Sequence, residues 1–254
     1  MEHTASQETK ISPTAPFSVE KGQEKLPVLI FDADDTLWDC QSHFDQVEHA
    51  MALMLAPWCS EQEAHAELIR TETNNIGLSG FGAMPFILSV IETAIRVSKQ
   101  QIPATQIEKL IQMGYGLLQM PATPLPMVEE TLSLLANHRK MVFTKGDQLD
   151  QRRKLKRSGL ERYFDAVEVT TDKTPEGYRR LLEYYDIAPE QAIMIGNSFK
   201  SDIAPALAIG MKTIYIPFHI AWQLEHSDEF EHQNLERIDR FAQIPQAIAQ
   251  LAKV

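Results

Sequence analysis

Pro27-Val28-Leu29-Ile30-Phe31 runs directly into Asp32-Ala33-Asp34-Asp35-Thr36, and the reading of this stretch decides the fold. A short apolar run rich in branched residues reads as a strand buried on both faces. The three carboxylates fall just beyond its C-terminal end, the edge at which open parallel sheets place their chemistry. Carboxylates this close repel one another, so the cluster asks for a cation or a lysine to offset it. Taken alone, the cluster is equally readable as a solvated acidic turn.

Outward from this strand the pattern changes. After Trp38 it turns helical and stays so for about eighty residues. Phe44, Val47, Ala50, Met51, Met54 and Leu55 recur at helical spacing until Pro57, and Ser60 with Glu63 signals a capping box opening a second helix. Asn74 to Gly82, with glycines at 77, 80 and 82, reads as a loop. Two more helices are expected from about Pro85 to Ser98 and from Pro103 or Ala104 to about Leu118, completing a small bundle. Pro121, Pro124 and Pro126 mark a hinge, and from there strands and helices alternate. Strands are expected at Met141–Phe143, Ala166–Val169, Ala192–Ile195 and Lys212–Ile216. Helices are expected at Met127–Ala136, Leu149–Ser158, Pro175–Tyr185, Asp202–Ile209 and Ile244–Ala252. Alternation of this kind implies a doubly wound parallel sheet. A first strand cut off from the others by an all-helical block implies one α/β domain carrying an insertion: 26–40 and 122–254 as core, 41–121 as a helical cap placed over the acidic cluster like a lid.

The bulk composition narrows the function. With 254 residues and 44% hydrophobic content, the chain can bury a large core. A net charge of −11 disfavours a nucleic-acid partner. Cys40 and Cys59 have no ligand-like spacing to histidine, which leaves a zinc site or disulfide framework without support and fits a reducing cytoplasm. Residues 1–25 mix Ser, Thr, Gln, Glu, Lys and Pro without an apolar core, and read as a flexible tail rather than a secretory signal. No apolar run approaches the ~18 residues of a membrane span.

In a parallel sheet the strand ends meet at one edge, which gathers Asp32 and Asp34, Thr144, Lys173, and Asn197 with Asp202. Singly, each has an ordinary explanation as a turn residue, a solvated lysine or a helix N-cap. Together, in order, they resemble the haloacid dehalogenase (HAD) superfamily of mainly phosphate-handling hydrolases. The resemblance rests on Asp32-x-Asp34-x-Thr36, the strand-end Thr144, Lys173 before a Pro-led helix, and Gly196-Asn197-Ser198-x-x-x-Asp202. It implies a Rossmann-like core with a type-one helical cap over roughly residues 27–216.

The resemblance also implies roles. Asp32 would attack phosphorus, and Asp34 would act as general acid and then base. Thr144 would bind a phosphoryl oxygen, with Thr36, Lys145 and Gly146 also near the substrate, and Lys173 would offset the charge of Asp32 and the phosphate. Mg²⁺ would be held by Asp32, the Asp34 carbonyl and Asn197, with Asp202 orienting its waters or binding directly. Asn197 stands where an acid is common, and Lys145 where Asn is frequent; the side chain of Lys145 can point either way. Haloacid dehalogenases lack the second acid, so Asp34 favours phosphoryl transfer, with a small phosphorylated metabolite as substrate and a monomer or homodimer as the assembly. A phosphomutase or phosphotransferase shares the machinery, and a catalytically weak binding protein is the reading that Asn197 alone supports. Among lesser candidates, the 74–82 loop could reach the leaving group, and Lys145, Arg152 and Arg153 could meet a distal anion. His219, Trp222, Glu225 and His226 follow the strand ending at Ile216 and could border the pocket, though without ligand spacing they read first as a surface segment.

Overall fold

A computed structural model of the chain describes residues 26–220 and 222–253. The expectation of a flexible tail over 1–25 lies outside the described residues. The first strand, β1 (Val28–Phe31), is followed by four helices before any other strand: α1 (Gln41–Leu55), α2 (Glu61–Ser79), α3 (Ala83–Val97) and α4 (Ala104–Leu118). The remainder alternates: α5 (Val128–Leu134), β2 (Lys140–Lys145), α6 (Gln148–Ser158), β3 (Ala166–Thr170), α7 (Pro175–Tyr184), β4 (Ala192–Gly196), α8 (Ala204–Leu207), β5 (Lys212–Tyr215), β6 (Leu235–Arg237) and α9 (Ile244–Leu251). All pairings in the six-stranded sheet, ordered β3-β2-β1-β4-β5-β6, are parallel.

Side-chain alternation along β1 explains why the sheet is wound on both faces. Leu29 and Phe31 point into a core shared with Val128 and Leu132 of α5, Leu155 of α6 and Ile244 of α9. Val28 and Ile30 point the other way, against Tyr178 and Leu181 of α7 and Ala206 of α8. Placed between β2 and β4, β1 is buried along its whole length, and the acidic stretch emerges at the middle of the sheet edge.

The helices α1–α4 pack around a separate apolar cluster that includes Met51, Leu55, Leu68, Phe86, Val90 and Leu110. The chain leaves the sheet for this unit and returns to it along neighbouring paths. Trp38 bridges antiparallel to Pro124, and Leu125 N–H donates to the Leu37 carbonyl at 2.9 Å. The expected capping box at the start of α2 is present in both directions between Ser60 and Glu63.

Two sequence expectations need correction. The segment from Asn74 is not a loop: α2 continues through Gly77 to Ser79, and only Gly80 (φ 74°) and Gly82 (φ 114°) have the backbone of a turn. Asn75 secures this last stretch to α3 through Ser89 (3.2 Å) and Glu92 (2.9 Å), a tertiary gain that outweighs the ~1 kcal/mol helix cost of Gly77. The sixth strand was not anticipated, because only Leu235 of its three residues is buried and no apolar run announces it. No helix among the described residues is long and apolar enough to cross a membrane.

Candidate active site

The three carboxylates after β1 are each satisfied by a different partner. Asp32 is met by Lys173 Nζ, which arrives from the loop between β3 and α7 and also contacts Asp202 Oδ1 at 2.6 Å. Asp34 is held by Lys154 Nζ (2.7 Å to each oxygen), Gln151 Nε2 (2.7 Å) and Trp38 Nε1 (2.7 Å). Asp35, at φ 61°, turns back so that its Oδ1 accepts from the N–H groups of Cys40 (2.8 Å) and Gln41 (2.9 Å), satisfying donors at the start of α1. The repulsion inherent in the sequence is thus relieved by two buried lysines and a helix terminus.

Asn197, beyond β4, sits against the same loop. Its Oδ1 accepts from Thr36 Oγ1 at 3.0 Å. With the amide turned over, its nitrogen would donate to Asp32 Oδ2 (3.2 Å), the Asp34 carbonyl (3.1 Å) and Thr36 Oγ1 (3.0 Å). Thr36 itself is buried and braces Asp32 and Asn197 from behind. Thr144 lines the cavity above Asp32, where its hydroxyl makes only a long 3.5 Å contact with its neighbour's carbonyl among the described residues. Gly146 lies off the cavity, and its N–H donates to the Thr170 carbonyl at 3.2 Å rather than facing a ligand. Both oxygens of Asp202 are engaged, Oδ1 by Lys173 and Oδ2 by the Ser198 N–H at 2.9 Å.

The structure resembles known ones as strongly as the sequence does. A family profile for haloacid dehalogenase-like hydrolases matches residues 26–210. A crystal structure of a haloacid dehalogenase-like family hydrolase from Xanthomonas campestris superposes with a TM-score of 0.83 at 32% identity, covering 95% of this chain and 98% of that one. The chain belongs to the haloacid dehalogenase-like hydrolases. Among its relatives, a glyceraldehyde 3-phosphate phosphatase of Methanothermobacter thermautotrophicus is 28% identical over 75% of this chain and 85% of its own. The similarity to a Pyrococcus furiosus protein of the same name, 29% identical, spans 30% of this chain and 34% of that protein.

Two parts of this hydrolase's site were not read from sequence. Gln151 and Lys154 lie on α6 beside Leu155, on its buried face, while Arg152 and Arg153 are exposed. Polar residues spaced with a core leucine on one helix face were the available clue. The second is the pairing made by the segment after β5, whose Trp222, Glu225 and His226 do border the pocket and line the cavity. Glu225 accepts from Lys145 Nζ, Ser198 Oγ and Ser201 Oγ, and Lys145 in turn reaches Ser201 Oγ at 2.8 Å and lies 4.3 Å from the centroid of the Phe81 ring. A half-buried strand-end lysine gains from an acid, and Glu225 supplies it from eighty residues away.

Electrostatics divide these acids into two groups. Burial raises Asp34 and Glu225, but lysine contacts overcome it: Lys154, then Gln151 and Trp38, hold Asp34 below the usual carboxylate range, and Lys145 with the two serines does so for Glu225. Burial wins elsewhere. Asp32 is pushed up to about 7, Lys173 offsetting only part of the desolvation and Asp202 adding to it. Asp35 and Glu72 are likewise raised to about 7, mainly by burial.

For an acid whose folded pKa exceeds its unfolded value of about 4, the folded chain retains protons that the unfolded chain has lost, so stability falls as pH rises from about 4 to 7. Asp34 and Glu225 act in the opposite sense, but only toward and below pH 4. Chelator-treated protein is therefore expected to melt higher at pH 5.5 than at pH 8, by roughly 5 °C for a combined effect of a few kcal/mol. A melting temperature that climbed with pH across this window would contradict the burial of these groups.

Proposed function

We propose that this HAD-like hydrolase is a Mg²⁺-dependent phosphatase acting on a small phosphorylated metabolite in the cytoplasm, through a phosphoryl group carried on Asp32. The observation that carries the reading is the position of Lys173, whose ammonium lies between Asp32 and Asp202 at the end of the central strand. A phosphate dianion repels an attacking carboxylate, and a buried cation beside that carboxylate is what the approach requires. The two relatives described above, both glyceraldehyde 3-phosphate phosphatases, point the same way. The two cysteines are free thiols, in keeping with a reducing compartment.

The donors present suit a hard cation. The Asn197 amide atom that faces the loop lies 3.2 Å from Asp32 Oδ2 and 3.1 Å from the Asp34 carbonyl, so with its oxygen in that place a carboxylate, a carbonyl and a carboxamide oxygen face one another. Among the described residues no cluster of three or more His, Cys, Asp or Glu forms an alternative site. Asp202, with both oxygens occupied, acts through Lys173 and the Ser198 turn rather than as a direct ligand. Mg²⁺ held there would neutralise phosphoryl charge and fix the ester against Asp32.

The chain's own residues carry the steps. An Asp32 oxygen attacks phosphorus in line, forming the aspartyl–phosphorus bond as the ester P–O bond breaks, and Asp34 gives a proton to the departing oxygen, a role that requires it first to leave the Lys154, Gln151 and Trp38 contacts that keep it ionised in this arrangement. Water then attacks phosphorus, Asp34 takes its proton, and inorganic phosphate leaves with Asp32 restored. The proton taken from water in one turnover is the one given up in the next. Thr144 hydrogen-bonds a phosphoryl oxygen, and Lys173 balances its charge. The helices α1–α4 form a cap over this edge and select the leaving group.

Release of phosphate from p-nitrophenyl phosphate is expected with Mg²⁺ and is expected to fall at least about a hundredfold with excess EDTA, returning when Mg²⁺ is restored. Undiminished activity in EDTA would remove the metal from the reading. Absence of phosphate release across a broad ester panel would remove the phosphatase itself.

A further inference from the structure

The cavity above Asp32, about 290 Å³ in volume, has two chemically different ends. At the sheet edge, each lysine lining it is already committed to a core acid: Lys173 to Asp32 and Asp202, Lys154 to Asp34, Lys145 to Glu225. Residues of α1, α2 and α3 also line it and bring Glu48 and Glu72, and every lysine among the described lining residues is one of the three already paired at the sheet edge. Glu72 is only 7% exposed, and its Oε2 has no hydrogen-bond partner. The Trp222 side chain favours the charged form of this carboxyl, while the nearby Glu48 disfavours it. Glu48 is itself paired with His65 Nδ1 at 3.2 Å. The surrounding walls are aromatic: Phe44 and Phe86 have centroids 4.8 Å apart, and Trp222 meets Phe81 edge to face at 5.9 Å.

A buried carboxylate oxygen left without a donor is costly, and a second acid close by makes it costlier. A hydroxyl could satisfy the oxygen but would leave the repulsion between Glu48 and Glu72. A carboxylate or second phosphate would add to it. An ammonium group supplies donors, cancels the repulsion and is attracted to ring faces. We propose that the hydrolase takes phosphate monoesters of short amino alcohols, the dianion at Asp32 and the cationic amine between Glu72 and Glu48 in the ring-lined end. The assignment rests on the phosphatase reading and specifies its leaving group. The cavity volume fits a small molecule of this class, at the lower limit of ordinary ligand sites.

The test compares O-phosphoethanolamine with 2-hydroxyethyl phosphate, which replaces the ammonium by a neutral hydroxyl, with p-nitrophenyl phosphate as the reporter of phosphatase chemistry. The expected kcat/KM is at least about tenfold higher for the amine ester. In Glu72→Gln that ratio is expected to collapse to about one, and Glu48→Gln to reduce it, each read as a ratio within one protein preparation so that a general loss of activity cancels. Turnover of p-nitrophenyl phosphate without preference for the amine ester overturns the substrate class alone, as does a preference that survives both substitutions. Failure on all three esters overturns the phosphatase reading and the substrate class with it.

Discussion

Asp32→Asn is expected to lower kcat by ~10⁴-fold or more while the protein still folds. The loss follows because an amide oxygen is a poor nucleophile toward phosphorus and no other group takes its place: Asp34 is drawn aside by Lys154, Gln151 and Trp38, and Asp35 is spent on the first turn of α1. Retention of the fold follows from shape. Asn can still accept from Lys173 through its oxygen while its NH2 donates to the Thr36 hydroxyl, and it removes a carboxylate whose ionisation burial opposes. Acid-quenched turnover should leave phosphate on the peptide containing Asp32 in the wild type and none in the variant. Residual activity within tenfold of wild type would assign the attack elsewhere.

Gly196→Ala is expected to cost activity from a position that touches no substrate. A Cβ at this residue would stand 2.2 Å from Asp202 Oδ2 and 2.7 Å from Asp202 Cβ, distances no packing tolerates. Asp202 must move, and with it go its contacts to Lys173 Nζ and the Ser198 N–H, so the ammonium beside Asp32 is displaced or left with one acid instead of two. A drop in kcat/KM of about a hundredfold or more is expected, with a destabilisation of about 2–4 kcal/mol from overpacking and a disturbed buried ion pair. Activity and melting temperature both near wild type would show that the strand end yields more readily than its packing suggests.

The parts that could be read from sequence are those governed by local pattern. An apolar run ending in acids, Pro after Thr174, and Gly-Asn-Ser before a helix are written in consecutive residues, and parallel topology then brings Lys173 and Asn197 to Asp32 across more than a hundred positions. What escaped was settled by partners far away in sequence. Lys154 resembles any lysine of a basic helix until Asp34 is placed beneath it, and Glu225 resembles a surface acid until Lys145 needs it. Gly77 suggests a break, yet packing of α2 on α3 carries the helix past it. The strand over Leu235–Arg237 owes its existence to the edge offered by β5 rather than to its own residues.

The crossing of the two connecting segments at Trp38 and Pro124 has a mechanical consequence. Trp38 belongs to the tether on which α1–α4 hang, and its indole N–H is also one of the groups gripping Asp34, four residues earlier. Asp35, between them, is tied to the first amides of α1. A rocking of the helical layer on this tether would therefore apply torque to the loop that bears Asp34, so that under the proposed mechanism admission of a substrate and alignment of the acid are geared together rather than independent events.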